Sequence, residues 1–224
     1  MRFRVTSRGR RITVVFDDDA MNLLSTDALH ELRSVVKQLA TSNQQLATFS
    51  FARSAGADMN EMVKFSPDDA ARFSRTGQEL FATIEKLPML TVALIDGDCF
   101  GGALDLSMSF DLRFATPRSR FAHPGARLGI VTGFGGTSRW RKIAGRPAAN
   151  ALMIANRTFD AAEALRVGLV DRVAGDHESE LQRLEQLDAG TTQFVKTLTN
   201  SASRLTRPQL LLLAERLGAL YGVR

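Results

Sequence analysis

A chain of 224 residues, 44% hydrophobic and 24% charged, has room for one sizeable core and the composition of an ordinary globular domain. Its single cysteine, Cys99, excludes an intrachain disulfide framework and suits a reducing compartment. The net charge of +5 comes from dispersed arginines, with aromatics at 7% and no basic run interleaved with them. This argues against nucleic-acid binding and for a solvated basic face whose field favours an anionic small substrate.

The opening MRFRVTSRGRRITVVF carries an apolar run too short and too interrupted for a signal peptide. No window approaches the roughly 18 apolar residues that span a membrane, so a cytoplasmic protein with no membrane partner is expected. Residues 2–17 read as a β-hairpin turning at Arg8-Gly9-Arg10. Ser25 caps a helix over 26–40, where Leu29, Leu32, Val36 and Leu39 recur at helical spacing. LATFSFA (46–52) is a short buried strand that ends in a glycine-bearing loop and a second helix start, residues 53–62. Ser66-Pro67-Asp68-Asp69 combines an N-cap, a proline at the first helical position and an acid two places on. It opens a helix expected to reach about Lys86 and to bury Ala70, Phe73, Gly77, Leu80, Ile84 and Leu87, with Pro88 as its stop.

Residues 90–136 organise the remainder. A strand (91–95) enters a glycine turn (97–102), and a helix opens at Gly101-Gly102 with Asp105 one turn inside it. A strand follows over 112–115, then the glycine cluster Gly133, Gly135, Gly136. A helix N-terminus carries free N–H groups and positive partial charge, and glycine lets a ligand oxygen approach the backbone closely. The segment is therefore a candidate site for a developing oxyanion, with Asp105 as its acid/base. Further on, Ser138–Ala144 reads as a basic helix, and 161–167 as a short helix opened by Asp160 and closed by Gly168. Residues 169–173 read as a brief strand, 176–188 as a linker or surface helix, and 192–220 as helix interrupted at Pro208. Alternating strands and helices imply an α/β fold.

Four ordered segments, together covering roughly residues 10–175, resemble the crotonase superfamily of enoyl-CoA hydratases and isomerases. Ala55-Gly56-Ala57-Asp58 with Glu61-Met62 resembles its first oxyanion loop, and GDCFGGALDLSMSFD (97–111) its second glycine loop and helix. Gly133-Phe134-Gly135-Gly136-Thr137 with Arg139 resembles its next helix start, and AAEALRVGLVDRV (161–173) its late segment. The resemblance implies a crotonase-like spiral of ββα units over 1–175 and a C-terminal helical region, 176–224, that covers the site and supports trimerisation. It also implies an acyl-CoA thioester substrate, no cofactor beyond the coenzyme A of that substrate, no metal, and a homotrimer or hexamer. By it, the Ala57 and Gly102 amides hold a thioester enolate, while Ala55, Asp58, Met59 and Asn60 line the acyl-CoA channel.

The chain departs from the family at the acids. Asp105 stands where the first family glutamate would be, one methylene shorter, and is either the acid/base or a first-turn helix aspartate. Gly125, after Pro124, stands where the second glutamate would be, which removes the usual two-carboxylate hydration pair. His123 is a candidate proton shuttle. On a strand, though, its two-residue offset displaces it about 6.6 Å, and a strand-end hydrogen bond or subunit contact is the plainer role. His30 and His177 read as surface residues and Cys99 as packed. The expected function is lyase or isomerase chemistry on an acyl-CoA through an oxyanion-hole-stabilised enolate. The alternative is a non-catalytic acyl-CoA-binding or assembly subunit of the same fold.

Overall fold

A computed structural model describes residues 2–18, 21–200, Leu211 and Glu215. The chain divides into two compact units, Met1–Leu187 and Asp188–Arg224. The first opens with a hairpin, β1 (Phe3–Arg8) and β2 (Arg11–Phe16), then β3 (Leu23–Leu24) and α1 (Thr26–Ala40). There follow β4 (Leu46–Phe51), β5 (Gly56–Ala57), α2 (Met59–Met62), α3 (Pro67–Glu85), β6 (Leu90–Ile95), β7 (Asp98–Phe100) and α4 (Gly102–Ser107). Next come β8 (Leu112–Ala115), β9 (Arg120–Ala122), a 3₁₀ turn (Ala126–Leu128), α5 (Gly136–Ile143) and α6 (Gly145–Met153). The unit closes with β10 (Phe159–Asp160), α7 (Ala161–Arg166), β11 (Arg172–Val173) and α8 (Glu178–Glu185).

Among the described residues the main sheet has the order β1-β2-β4-β6-β8-β11, and smaller sheets join β10-β9-β7 and β3-β5. Only the β1–β2 pair of the main sheet is antiparallel; the others are parallel. Each of β2, β4, β6 and β8 is followed by a short strand in a smaller sheet and then by a helix. That repetition of ββα units is the expected spiral. Its geometric effect is to bring the short strands, and the loops after them, to one end of the sheet.

Local chemistry explains the main elements. The Ser25 hydroxyl accepts from the Ala28 amide at 3.1 Å, and Leu29, Leu32, Val36 and Leu39 form the buried stripe of α1. Ser66 and Asp69 form a reciprocal capping box at α3, with Pro67 at its first position. Strand β4 is buried along nearly its whole length, as a central parallel strand covered on both faces must be. The polar 176–188 stretch contains α8, docked by its apolar pair Leu181 and Leu184 in a cluster with Leu46, Val92 and Phe114. Arg11 on β2 fixes this helix through Glu178 at 2.7 Å and Glu185 at 3.0 Å.

Several details differ from the sequence reading. Ala70 is exposed, because the first turn of α3 runs beyond the core, and Phe81 takes a fully buried place on the same helix. The hairpin turn contracts to Gly9-Arg10, with Arg8 paired to Arg11. Strands β7 and β9 have three residues each, too few to show a periodicity. In the 169–173 segment only Arg172–Val173 pairs, with β8, while Leu169 and Val170 bury off the sheet. In the second unit, α9 (Ala189–Asn200) is opened by Asp188, whose carboxylate accepts from the Thr191 amide at 2.7 Å. The expected break at Pro208 lies outside the described residues.

Candidate active site

Two loops are stitched together at the ends of β4 and β6. The Ser54 amide donates to the Asp98 carbonyl at 2.7 Å, and the Phe100 amide donates back to the Ser54 carbonyl at 3.0 Å. From the other side, the Ala55 amide donates to Met21 at 3.0 Å and the Asp58 amide to Leu24 at 3.2 Å, holding β5 against β3. The 53–58 loop is thereby pinned between neighbours on both flanks, although the run from β4 to Ala57 is short.

This stitching sets the amides of Ala57 and Gly102 beside one another. A methyl group at Gly102 would lie 3.3 Å from the Ala57 nitrogen, and one at Gly56 would lie 2.7 Å from the Gly102 nitrogen. Gly56 also has φ +94°, which side chains rarely adopt, so glycine is required there on both counts. Gly102 is the first residue of α4, where an amide has no partner within its own helix. Asp58 caps α2 by accepting from the Asn60 amide at 2.9 Å, which leaves Met59 and Asn60 exposed at the lip of the loop. Ala55, Ala57, Asp58, Met59, Asn60 and Gly102 thus belong to one neighbourhood.

Asp105, three residues into α4, is fully shielded from solvent. One carboxylate oxygen accepts from the indole Nε1 of Trp140 at 3.2 Å, and the other accepts from the Thr132 hydroxyl. The N-terminus of α5 abuts the same group: a methyl at Gly136 would fall 1.9 Å from Asp105 Oδ1. Glycine therefore lets a helix end, with its positive partial charge, press directly on a buried carboxylate. Two hydrogen bonds and a helix dipole are what make burial of this group tolerable. Trp140, the only tryptophan of the chain, and Thr132 had no role in the sequence reading. Their contacts with Asp105 span 35 and 27 positions and leave no local trace.

His123 joins this group. Strand β9 ends at Ala122, so the pleat spacing no longer governs His123, and its buried Nε2 lies 3.6 Å from Asp105 Oδ2. That separation is beyond a hydrogen bond, and a shift of about 0.5 Å would close it. The atom has no other hydrogen-bond partner among the described residues. His123 and Thr132 also line a cavity of about 460 Å³, so the shielded Asp105 is connected to that cavity through those two side chains. Ala57 and Gly102 are not among the cavity's walls.

At Gly125 the backbone conformation, φ −53° and ψ −49°, is open to any residue. Contact is what selects glycine: a methyl there would fall 2.8 Å from the Ile130 carbonyl and 3.3 Å from His123 Nδ1. The turn from 125 to 130 closes over that position, with the Ile130 amide donating to the Gly125 carbonyl at 3.0 Å. Phe134 fills the space on the other side of α4, buried between Phe73 and Phe81, its ring 2.9 Å from a methyl placed at Gly102. Cys99 is buried, and that burial pushes its thiol up to about 12, which makes it inert as a nucleophile at neutral pH. His177 is buried against Phe114 rather than exposed as expected, because α8 folds over β8.

The sequence pattern of the enoyl-CoA hydratase/isomerase family matches residues 11–215, and the chain belongs to that family. Over 166 residues it is 34% identical to the short-chain-enoyl-CoA hydratase of Clostridium acetobutylicum, covering 71% of this chain and 63% of that protein. The crotonyl-CoA hydratase of Syntrophomonas wolfei is also 34% identical, over 164 residues, with the same coverage of 71% and 63%. The chain thus matches less than two thirds of the length of these relatives. Among solved structures, an enoyl-CoA hydratase from Thermoplasma volcanium superposes with a TM-score of 0.89 at 25% identity, over 99% of this chain and 93% of that one. Pseudomonas aeruginosa DspI superposes with a TM-score of 0.88 at 23% identity, over 100% and 96%. The α/β spiral is that of the crotonase fold. No described helix is long and apolar enough to cross a membrane.

Proposed function

We propose that the protein acts on an acyl-CoA thioester by forming an enolate at the amides of Ala57 and Gly102, as a lyase or isomerase of the enoyl-CoA hydratase/isomerase family. The observation that carries this reading is the adjacency of those two amides on loops pinned from both sides. Donors fixed before reaction stabilise charge as it develops, at about 3–4 kcal/mol per donor in comparable sites. Loss of a proton from the carbon next to the thioester carbonyl moves negative charge onto the carbonyl oxygen, which the two amides receive.

Asp105 takes and returns that proton by way of Thr132 and His123, the side chains through which it meets the cavity. With Gly125 closed by packing, no second carboxylate completes the hydration pair at that position. Isomerisation or decarboxylation, which needs a single acid/base, suits the site better than two-carboxylate hydration. The homotrimer or hexamer of the family and a cytoplasmic location complete the proposal, with no cofactor beyond the substrate's coenzyme A.

A second reading, a thioester-binding subunit without turnover, is favoured by one observation: both Asp105 oxygens are already engaged, by Thr132 and Trp140. Rates on crotonyl-CoA, 3-enoyl-CoA and malonyl-type CoAs by the parent and Asp105→Ala separate the two. Turnover that falls at least about 100-fold in Asp105→Ala supports the enzyme. Tight thioester binding without turnover of any of these supports the binder, and equal rates in both proteins remove Asp105 from the chemistry.

A further inference from the structure

The cavity beside the Asp105 group has a mixed lining that the reaction described above does not explain. Ala126, Ile130, Met153 and Ile154 give it apolar walls, while Arg141 on α5 and Arg146 on α6 also line it. Other arginines on or near these helices are neutralised. Arg139, also on α5, pairs with Glu85 and donates to the Phe134 carbonyl at 2.8 Å, and Arg157 pairs with Glu163 at 2.9 Å. Among the described residues, no carboxylate pairs with Arg141 or Arg146. Both are exposed, and two arginines without a carboxylate partner on one pocket offer a site for an anion, since guanidinium matches a carboxylate in planar, two-pronged geometry.

The rest of the lining says what carries that anion. At about 460 Å³ the space is of ligand size, and its apolar walls suit a short run of methylene groups. Its lining also includes His123 and Thr132, the side chains that contact Asp105. An acyl chain whose reacting carbons lie at Asp105 would therefore continue into the cavity and meet the arginines with its far end. We propose that the cavity holds the distal carboxylate of a substrate whose acyl group is a dicarboxylic acid joined to the thiol at one end only. This rests on the thioester reading and names the substrate class within it. Phosphates of coenzyme A are the other source of negative charge, and the test distinguishes them.

The experiment is calorimetric titration of the full chain with length-matched pairs of thioesters: glutaryl- against pentanoyl-CoA, adipoyl- against hexanoyl-CoA, and pimeloyl- against heptanoyl-CoA. At least one dicarboxylic member is expected to bind about tenfold or more tighter than its partner, the ratio a single charge-assisted hydrogen bond supplies. Arg141→Gln/Arg146→Gln is expected to abolish that ratio while leaving the monocarboxylic ester's affinity unchanged. Arg75→Gln, which removes the same charge from an exposed position on α3, is expected to preserve the ratio. Equal binding within all three pairs overturns the subsite and leaves the thioester reading standing. Equal weakening of both members in the double variant also overturns it, because the arginines then serve the phosphates. Failure of all six thioesters to bind overturns the thioester reading and the subsite together.

Discussion

Replacing Gly125 with glutamate puts a carboxylate where the family resemblance implies one, and the packing predicts that it will not confer hydration. Because φ −53° and ψ −49° suit any residue, backbone strain contributes nothing to the outcome. The cost comes from the first side-chain carbon, 2.8 Å from the Ile130 carbonyl and 3.3 Å from the His123 ring. A backbone oxygen cannot swing aside as a flexible side-chain tip can, so the 125–130 turn must open or His123 must move. Forced insertion into a packed region costs about 1–3 kcal/mol, which at this size lowers the melting temperature by about 2–4 °C for each kcal/mol. Gly125→Ala isolates this steric part, and Gly125→Glu adds a carboxylate beside the buried Asp105 group. Thermal unfolding of both variants, with initial rates on crotonyl-CoA, makes the check. Both should unfold earlier than the parent and neither should gain hydration activity. A Gly125→Glu protein as stable as the parent and at least about tenfold faster at hydration would refute the packing argument.

Other expectations follow from separate parts of the structure. Gly102→Ala puts a methyl 2.9 Å from the Phe134 ring and 3.3 Å from the Ala57 nitrogen, and should cut kcat by about 100-fold or more, with KM much less affected, in steady-state assays. Arg113 is buried and donates to the Leu169 carbonyl at 2.7 Å, the Phe110 carbonyl at 2.9 Å and Asp171 at 3.0 Å. Arg113→Met should cost about 3 kcal/mol in urea unfolding, the low end for a broken buried pair because Asp171 keeps some solvent contact. Burial holds His177 below its ordinary value of 6.5, the nearby Arg172 acting in the same direction and Asp176 and Asp96 opposing it. The unfolded chain therefore binds a proton that the folded chain resists, so stability is full above about pH 6.5 and declines as the pH falls through the lowered value. His177→Phe should flatten that decline between pH 7 and 5, and an unchanged slope would assign it to other groups.

What could be read in the sequence was what is written locally. The α1 and α3 caps, the β4 and β8 strands and the glycine start of α4 each depend on residues within a few positions of one another. The Ala57 and Gly102 candidates came from family resemblance, and their adjacency depends on Ser54 bonding across to Asp98 and Phe100, which no local pattern encodes. The acid/base end was less legible. Trp140 and Thr132 reach Asp105 from another helix and another loop. Strand spacing displaced His123 from the position of Gly125 because that rule assumes a strand continuing through 123, whereas β9 stops one residue earlier, and nothing local set His123 beside Asp105. Gly125 read as a missing acid, whereas the structure adds the reason a side chain is excluded there.

The central claim is that the Ala57 and Gly102 amides hold an enolate while Asp105 moves its proton. Exchange of the hydrogens next to the thioester carbonyl of butyryl-CoA, followed by mass spectrometry in D₂O, tests it without requiring the physiological substrate. The account predicts deuterium uptake at that carbon with the parent protein, and loss of uptake in both Gly102→Ala and Asp105→Asn while butyryl-CoA still binds. Binding by the parent with no uptake above the uncatalysed rate would contradict it.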